Sequence, residues 1–193
     1  MKRLGFDLIL HGDPASGKDT QALILKKKYK LRAVESGKHW RKMAKMKTPD
    51  GEWLRRTMSR GYPTPVPLMK KFIVDNLKQT PKDKDLLFIG NPRLKPEAQL
   101  LKKLLNQKKR EFLVIYIKLP KREILKRSGL RLKTLKRSDD SAEFVKNRIK
   151  YYETQVVKTV DYFRAIGKIK FVNGNQPISK VAKEIEKILD DNQ

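Results

Sequence analysis

The sequence predicts an α/β fold: a three-layer sandwich in which a parallel five-stranded sheet lies between helices and carries a phosphate-binding loop. Three observations predict it. Apolar runs at Phe6 to Leu10, Leu86 to Ile89 and Phe112 to Ile117 alternate with stretches of helical spacing, the order expected of a parallel sheet. The second, Leu86 to Ile89, is apolar throughout, as a strand buried on both faces must be. The first run leads directly into His11-Gly-Asp-Pro-Ala-Ser-Gly-Lys-Asp-Thr20, after which Gln21 to Lys30 reads as a helix.

Strand, glycine-containing loop, lysine and helix together bind a nucleotide phosphate chain, a P-loop. Gly12 and Gly17 let the backbone wrap an anion, with successive N–H groups turned inward, and Asp13, Ala15, Ser16 and Asp19 complete the candidate binding residues of the loop. The helix N-terminus adds partial positive charge. Lys18 supplies a mobile cation for the terminal phosphates, and Thr20 a hydroxyl. The strict pattern places Ser or Thr directly after the lysine, where this chain has Asp19. A plain glycine turn between strand and helix is the bland alternative, and the flanking strand and helix argue against it.

The remaining elements follow in order. Ala33-Val34 reads as a short strand, and Lys38 to Lys47 as a helix after Ser36-Gly37. Thr48-Pro-Asp-Gly51 reads as a turn, and Glu52 to Arg60 as a helix. Gly61 to Pro67 holds three prolines in five residues, a rigid connection. Leu68 to Leu77 has helical spacing, and Lys82 to Asp85 reads as a charged turn. Pro96 opens a helix to about Lys108. Pro120 opens the helix that carries Arg127, and Ser128 to Ser138 reads as a Lys/Arg-rich loop. Ser141 to Ile166 reads as one long helix with Phe144, Ile149, Tyr152, Val156, Val160 and Phe163 along one side. Lys168 to Val172 is the last strand, and the final helix places Ile178, Val181, Ile185 and Leu189 on one stripe. Ligands of such sheets bind beyond the C-terminal strand ends. These are the loop after the first strand, Gly90 to Arg93, and Leu119 onward.

Bulk properties bound the rest. The chain has 193 residues, 38% hydrophobic and 35% charged, enough for one domain with its own core. It has no cysteine, hence no disulfide and no thiolate metal site. No apolar run reaches membrane-spanning length, and the first residues turn acidic too soon for a signal peptide. A cytoplasmic protein is expected, and a monomer. Net charge is +26, split as +14 over residues 1–96 and +12 over 97–193. A field this positive attracts polyanions, nucleic acid included, without sequence preference. Its even spread and its 33 Lys against 14 Arg read more simply as a solvated lysine coat.

Several motifs in register resemble the adenylate kinases and related nucleoside monophosphate kinases over nearly the full length. Gly12 to Ala22, including Pro14 and Thr20-Gln-Ala22, is similar to their phosphate-binding loop. Ser36-Gly37 with Arg41 resembles the start of their monophosphate-binding segment, and Gly61 with Thr64-Pro65 its exit. Gly90-Asn-Pro-Arg93 resembles their Gly-aromatic-Pro-Arg element. Arg127, Arg131, Arg137 with Asp139-Asp140, and Arg148 match the arginine pattern around the lid. The short Arg131 to Arg137 spacing suits the variety without a zinc subdomain. The resemblance implies a core of residues 1–34, 65–126 and 138–193, a small helical monophosphate-binding segment at 35–64, and a short lid at 127–137. It implies transfer of the γ-phosphoryl group from ATP, with Mg2+, to a nucleoside monophosphate, AMP being the first expectation. No residue set is read as direct metal ligands.

The same resemblance implies the site roles. Lys18 contacts the transferring group. Arg41 and Arg93 hold the acceptor phosphate, and Arg127 lies against the donor nucleotide. Arg131, Arg137 and Arg148 clamp the transferring group, while Asp139 and Asp140 pair with arginines, or cap the following helix. Guanidinium forks suit phosphate oxygens and keep their charge, so a ring of them fits two polyphosphates meeting end to end. Ser36 keeps the hydroxyl typical of adenine-accepting members. Glu97 stands where a base-reading Gln is usual, with Gln99 two residues on; a solvent-facing first-turn residue is its alternative reading. Two aspartates that organise the magnesium water shell in the family are here Lys38 and Ile89, so Asp13 and Asp19 are the nearby carboxylates to inspect. This departure keeps open a catalytically impaired nucleotide-binding relative, and the charge keeps open a basic nucleic-acid-binding protein. His11 reads as packed or hydrogen-bonded rather than catalytic, and Trp40 and Trp53 as packing of a small helical unit.

Overall fold

The apolar runs form one sheet. The computed structural model describes residues 1–58, 64–135 and 142–193, with side chains at all of these except 57–58, 131–135, 142–145 and 148. Strands β1 (Asp7–Gly12), β2 (Leu31–Val34), β3 (Asp85–Ile89), β4 (Phe112–Lys118) and β5 (Ile169–Asn173) lie in the order β2-β3-β1-β4-β5. Every pairing is parallel. β1 is central and buried along its whole length, which explains why its run carries no polar alternation. β5 is an edge strand, and alternation returns there, with only Val172 buried.

Helices cover both faces. On one face α1 (Lys18–Lys28) and α9 (Ile178–Asp190) pack Ala22, Leu25, Val181, Ile185 and Leu189 onto Leu8, Leu10, Ile115 and Ile117. On the other, α4 (Val66–Lys78), α5 (Lys95–Gln107) and α8 (Val157–Ala165) pack Phe72, Ile73, Leu101, Leu105 and Phe163 onto Ile9, Phe88 and Val114. Trp40 of α2 (Ser36–Met43) and Leu54 of α3 (Pro49–Met58) join that second cluster. Each fully buried aliphatic side chain contributes about 1.5–3 kcal/mol, so these two stripes hold the layers together. Trp40 therefore packs as expected, whereas Trp53 is more than a third exposed.

The end of the sheet remote from the phosphate loop is clasped by two buried carboxylates. Asp7 accepts from Arg110 Nε at 2.7 Å and from the Leu86 amide at 2.7 Å. Asp85 accepts from Arg3 at 2.7 Å and from the amides of Leu4 and Gly5. Each anion is thus fully partnered, the condition for burying it at tolerable cost.

Several boundaries differ from the sequence expectation, each for a local reason. Thr48 to Gly51 is not a free turn: Thr48 Oγ1 accepts the Gly51 amide at 3.1 Å, and Pro49 opens α3. That is a threonine N-cap with proline at the first helical position. α2 stops at Met43 instead of Lys47, and Arg55 Nη1 takes the carbonyls of Ala44 and Met46 beyond it. α1 ends at Lys28 because Tyr29 turns extended and Lys30 donates to the Lys2 carbonyl. Residues 128–135 are not loop. Helix α6 (Lys121–Leu135) continues through them, since Gly129 costs only about 1 kcal/mol against a run of Leu, Arg and Lys. The long helix is two, α7 (Ala142–Tyr151) and α8, joined by a π-helical turn at Tyr152–Val156 that keeps Tyr152 and Val156 buried.

Candidate functional site

The candidate site gathers at the C-terminal ends of β1, β3 and β4. After β1 the chain turns tightly: the Asp13 amide donates to the Ile117 carbonyl, and the Ser16 amide to the Asp13 carbonyl, both at 3.1 Å. A Cβ at Gly12 would stand 2.6 Å from the Ile117 oxygen and 2.7 Å from Ser16 Oγ, so the close approach to β4 requires glycine there. Gly17, at φ 84, delivers the chain into α1, which begins at Lys18. The expected loop therefore forms, with Ala15 also in the left-handed region at φ 59.

Lys18 reaches back over the end of β3. Its Cε lies 2.9 Å from where a Gly90 Cβ would sit, and Gly90 takes φ 71. Its Nζ is 3.2 Å from Asp19 Oδ1, and the Asp19 side chain is exposed, as is Thr20. The Asn91-Pro92 peptide is cis, and Arg93 folds its Nε onto the Gly90 carbonyl at 3.0 Å. Thr159 Oγ1 donates to the Arg93 carbonyl at 2.8 Å, fixing the turn to α8. Lys18 and Arg93 thus meet at Gly90, the first over its Cα and the second on its carbonyl.

His11 occupies the centre. It is buried, Nδ1 accepts the Gly12 amide at 2.9 Å, and Nε2 lies 3.0 Å from the Pro92 carbonyl. A carbonyl only accepts, so Nε2 carries the proton and the ring is neutral. Burial first, then the charges of Arg93 and Lys18, push the imidazole from 6.5 down to about 3. The ring stacks on Tyr116 at 5.6 Å and 9°. Tyr116 in turn donates to Asp13 Oδ1 at 2.6 Å, and the Leu119 amide donates to Asp13 Oδ2 at 2.7 Å. Both Asp13 oxygens thus tether the loop to β4, and burial raises the pKa of the carboxyl. The packed, hydrogen-bonded reading of His11 holds; its link to Pro92 was not legible, because no spacing rule connects residues 81 apart.

The other candidates fall as follows. Ser36 is buried at the start of α2, and the Arg41 guanidinium folds over Gly37, with Nη1 3.3 Å from a built Cβ. Glu97 is neither solvent-facing nor turned outward to a base. Its Oε2 accepts the amides of Arg93 and Leu94 at 2.8 and 3.3 Å, a cap on α5, and burial raises its pKa. Gln99 is exposed. Arg127 donates to the Gly174 carbonyl at 3.2 Å and pairs with Glu123. It thereby joins α6 to the turn after β5, beside a cavity of about 330 Å³ lined by Leu119, Pro120, Phe171 and Asn173. Arg131 lies on α6 and Arg148 on α7, with side chains outside the described residues; Gly61, Arg137, Asp139 and Asp140 lie outside them altogether.

For a magnesium ion the donor set is thin. Asp13 already accepts one hydrogen bond at each oxygen, Asp19 is drawn to Lys18, Lys38 is a cation, and Ile89 is packed against the α1–α9 cluster. Among the described residues no group of three or more His, Cys, Asp or Glu is placed to hold a metal. These residues do not build a protein-side seat for the ion.

The Adenylate kinase family model matches residues 10–168. An adenylate kinase of Leptospira biflexa is 30% identical over 97% of this chain and 99% of its own length. One of Parabacteroides distasonis is 30% identical over 93% and 95%, and one of Methanothrix thermoacetophila 27% over 95% and 98%. With the loop, the Lys18–Gly90 contact and the Arg93 turn built as above, these matches show that the chain belongs to the adenylate kinase family.

Proposed function

We propose that this chain is a nucleoside monophosphate kinase that moves the γ-phosphoryl group of ATP to AMP. Membership of the adenylate kinase family supports a phosphotransferase acting on nucleoside monophosphates. The observation that carries the reading is the convergence of Lys18, from the loop, and Arg93, from the turn after the adjacent strand β3, on Gly90. Phosphoryl transfer needs positioning and charge neutralisation more than covalent chemistry. The loop amides and Lys18 hold the donor phosphates, Arg93 and Arg41 the acceptor phosphate, and Arg127 the donor nucleotide's base side. Arg131, Arg137 and Arg148 close over the transferring group from residues 127–137 and α7, with Asp139 and Asp140 as partners. Closure excludes water, the competing acceptor. Residues 35–64 form the acceptor-side segment, Ser36 supports an adenine acceptor, and the activity belongs to a cytoplasmic monomer.

Mg2+ accompanying ATP, as is general in this family, would supply charge neutralisation of the phosphates. The missing carboxylates at Lys38 and Ile89, with Asp13 already engaged, favour one second reading: a relative that binds nucleotides and turns over slowly or not at all. The test is a coupled assay of diphosphate formation from ATP, Mg2+ and each of AMP, GMP, CMP and UMP. Turnover fastest with AMP and lost in Lys18→Ala is expected. ATP binding without turnover on any acceptor would favour the second reading.

A further inference from the structure

One buried group touches both halves of the proposed two-nucleotide site. The Gly12 amide, at the start of the phosphate loop, donates to His11 Nδ1 at 2.9 Å. The Pro92 carbonyl, on the residue preceding Arg93, accepts from Nε2 at 3.0 Å. The two nitrogens lie on opposite sides of one rigid five-membered ring, so one side chain fixes the separation of the two segments. The ring itself has little freedom: it is stacked on Tyr116, whose hydroxyl holds Asp13, the residue after Gly12. The turn it reaches is equally tied, Arg93 to the Gly90 carbonyl and Gly90 under Lys18.

We propose that His11 is a positioning residue that sets the donor loop at a fixed distance from the acceptor arginine, so that each nucleotide's segment is held through a different ring nitrogen. The inference rests on the proposed function for the identity of the two ligands. It touches no substrate itself; it acts through Gly12 and through Pro92. Each contact can be removed alone. The Oδ1 of asparagine falls near the place of Nδ1, so His11→Asn keeps an acceptor for the Gly12 amide and cannot reach Pro92. The amide nitrogen of glutamine falls near the place of Nε2, so His11→Gln keeps the donor to Pro92 and releases Gly12. Loss of one buried hydrogen bond that orders a binding segment corresponds to roughly a fivefold change in affinity.

The experiment measures the dissociation constants of ATP and of AMP, each alone, by titration calorimetry on the wild type and both variants. His11→Asn is expected to weaken AMP about fivefold and leave ATP within twofold. His11→Gln is expected to do the reverse. Variants that weaken both nucleotides equally, or neither, overturn the proposal, because general loosening of the core has no reason to separate them. A wild type that binds neither nucleotide overturns the proposed function instead. A third arm needs no variant: the nitrogen chemical shifts of histidine-labelled wild type at pH 6 should give a neutral His11 protonated at Nε2. A charged ring, or a proton on Nδ1, overturns the proposal.

Discussion

Lowering the pH from 8 to 5 should cost this protein stability through His11 in particular. In the folded state the ring is neutral at both values, since burial beside Lys18 and Arg93 holds it at about 3. In the unfolded chain it takes up a proton near 6.5. The folded value is the lower one, so the unfolded state binds more protons below pH 6.5, and stability falls as the pH falls. From 6.5 to 5 is one and a half pH units at about 1.4 kcal/mol each, a loss of about 2 kcal/mol, growing until the pH reaches the folded value. Asp7, Asp13 and Glu97 are raised by burial and work in the opposite direction, and the lowered His39 in the same one. The measurement is therefore a difference. Guanidinium unfolding of wild type and His11→Asn at pH 8 and pH 5 should show the gap between them shrinking by about 2 kcal/mol at pH 5. An unchanged gap would refute the buried neutral ring.

Other substitutions test the remaining supports. Asp7→Asn leaves Arg110 and the Leu86 amide with a weaker acceptor at the base of β1, and should cost about 3 kcal/mol in a urea titration without altering nucleotide affinity. Asp13→Ala should release the loop from Tyr116 and Leu119, whose hydroxyl and amide it now holds, and weaken ATP binding several-fold in calorimetry. Gly90→Ala forces a Cβ into the path of Lys18 at φ 71. It should cost about 1 kcal/mol by thermal unfolding and reduce turnover more than ATP affinity.

The sheet was legible because its central strands are buried on both faces and so are dominated by apolar residues, with Asp7 and His11 at the two ends of β1 as the exceptions. The loop was legible because glycine, lysine and the following helix have a fixed order. Helix ends were less so. Thr48-Pro-Asp-Gly51 has turn composition, yet the threonine hydroxyl makes the same residues a helix start. Gly129 looks like a loop residue only until the leucines and basic residues around it are weighed as helix formers. Polar roles set by distant contacts escaped altogether. Asp13 shows in the sequence only as a carboxylate beside the loop, whereas its oxygen takes the hydroxyl of Tyr116, 103 residues away. Glu97 stood at a base-reading position and instead caps its own helix. In both cases a carboxylate near a phosphate loop answers first to the backbone amides and hydroxyls within its reach.

The central claim is that Lys18 and Arg93 bring two nucleotides together for direct transfer. Incubating the protein with Mg2+, AMP and ATP labelled at the γ-phosphoryl group, then separating the products, tests it most directly. The account predicts label in the β-phosphoryl group of ADP formed from AMP, and none in inorganic phosphate. Label appearing in inorganic phosphate, or remaining in ATP while ATP is bound, would contradict it.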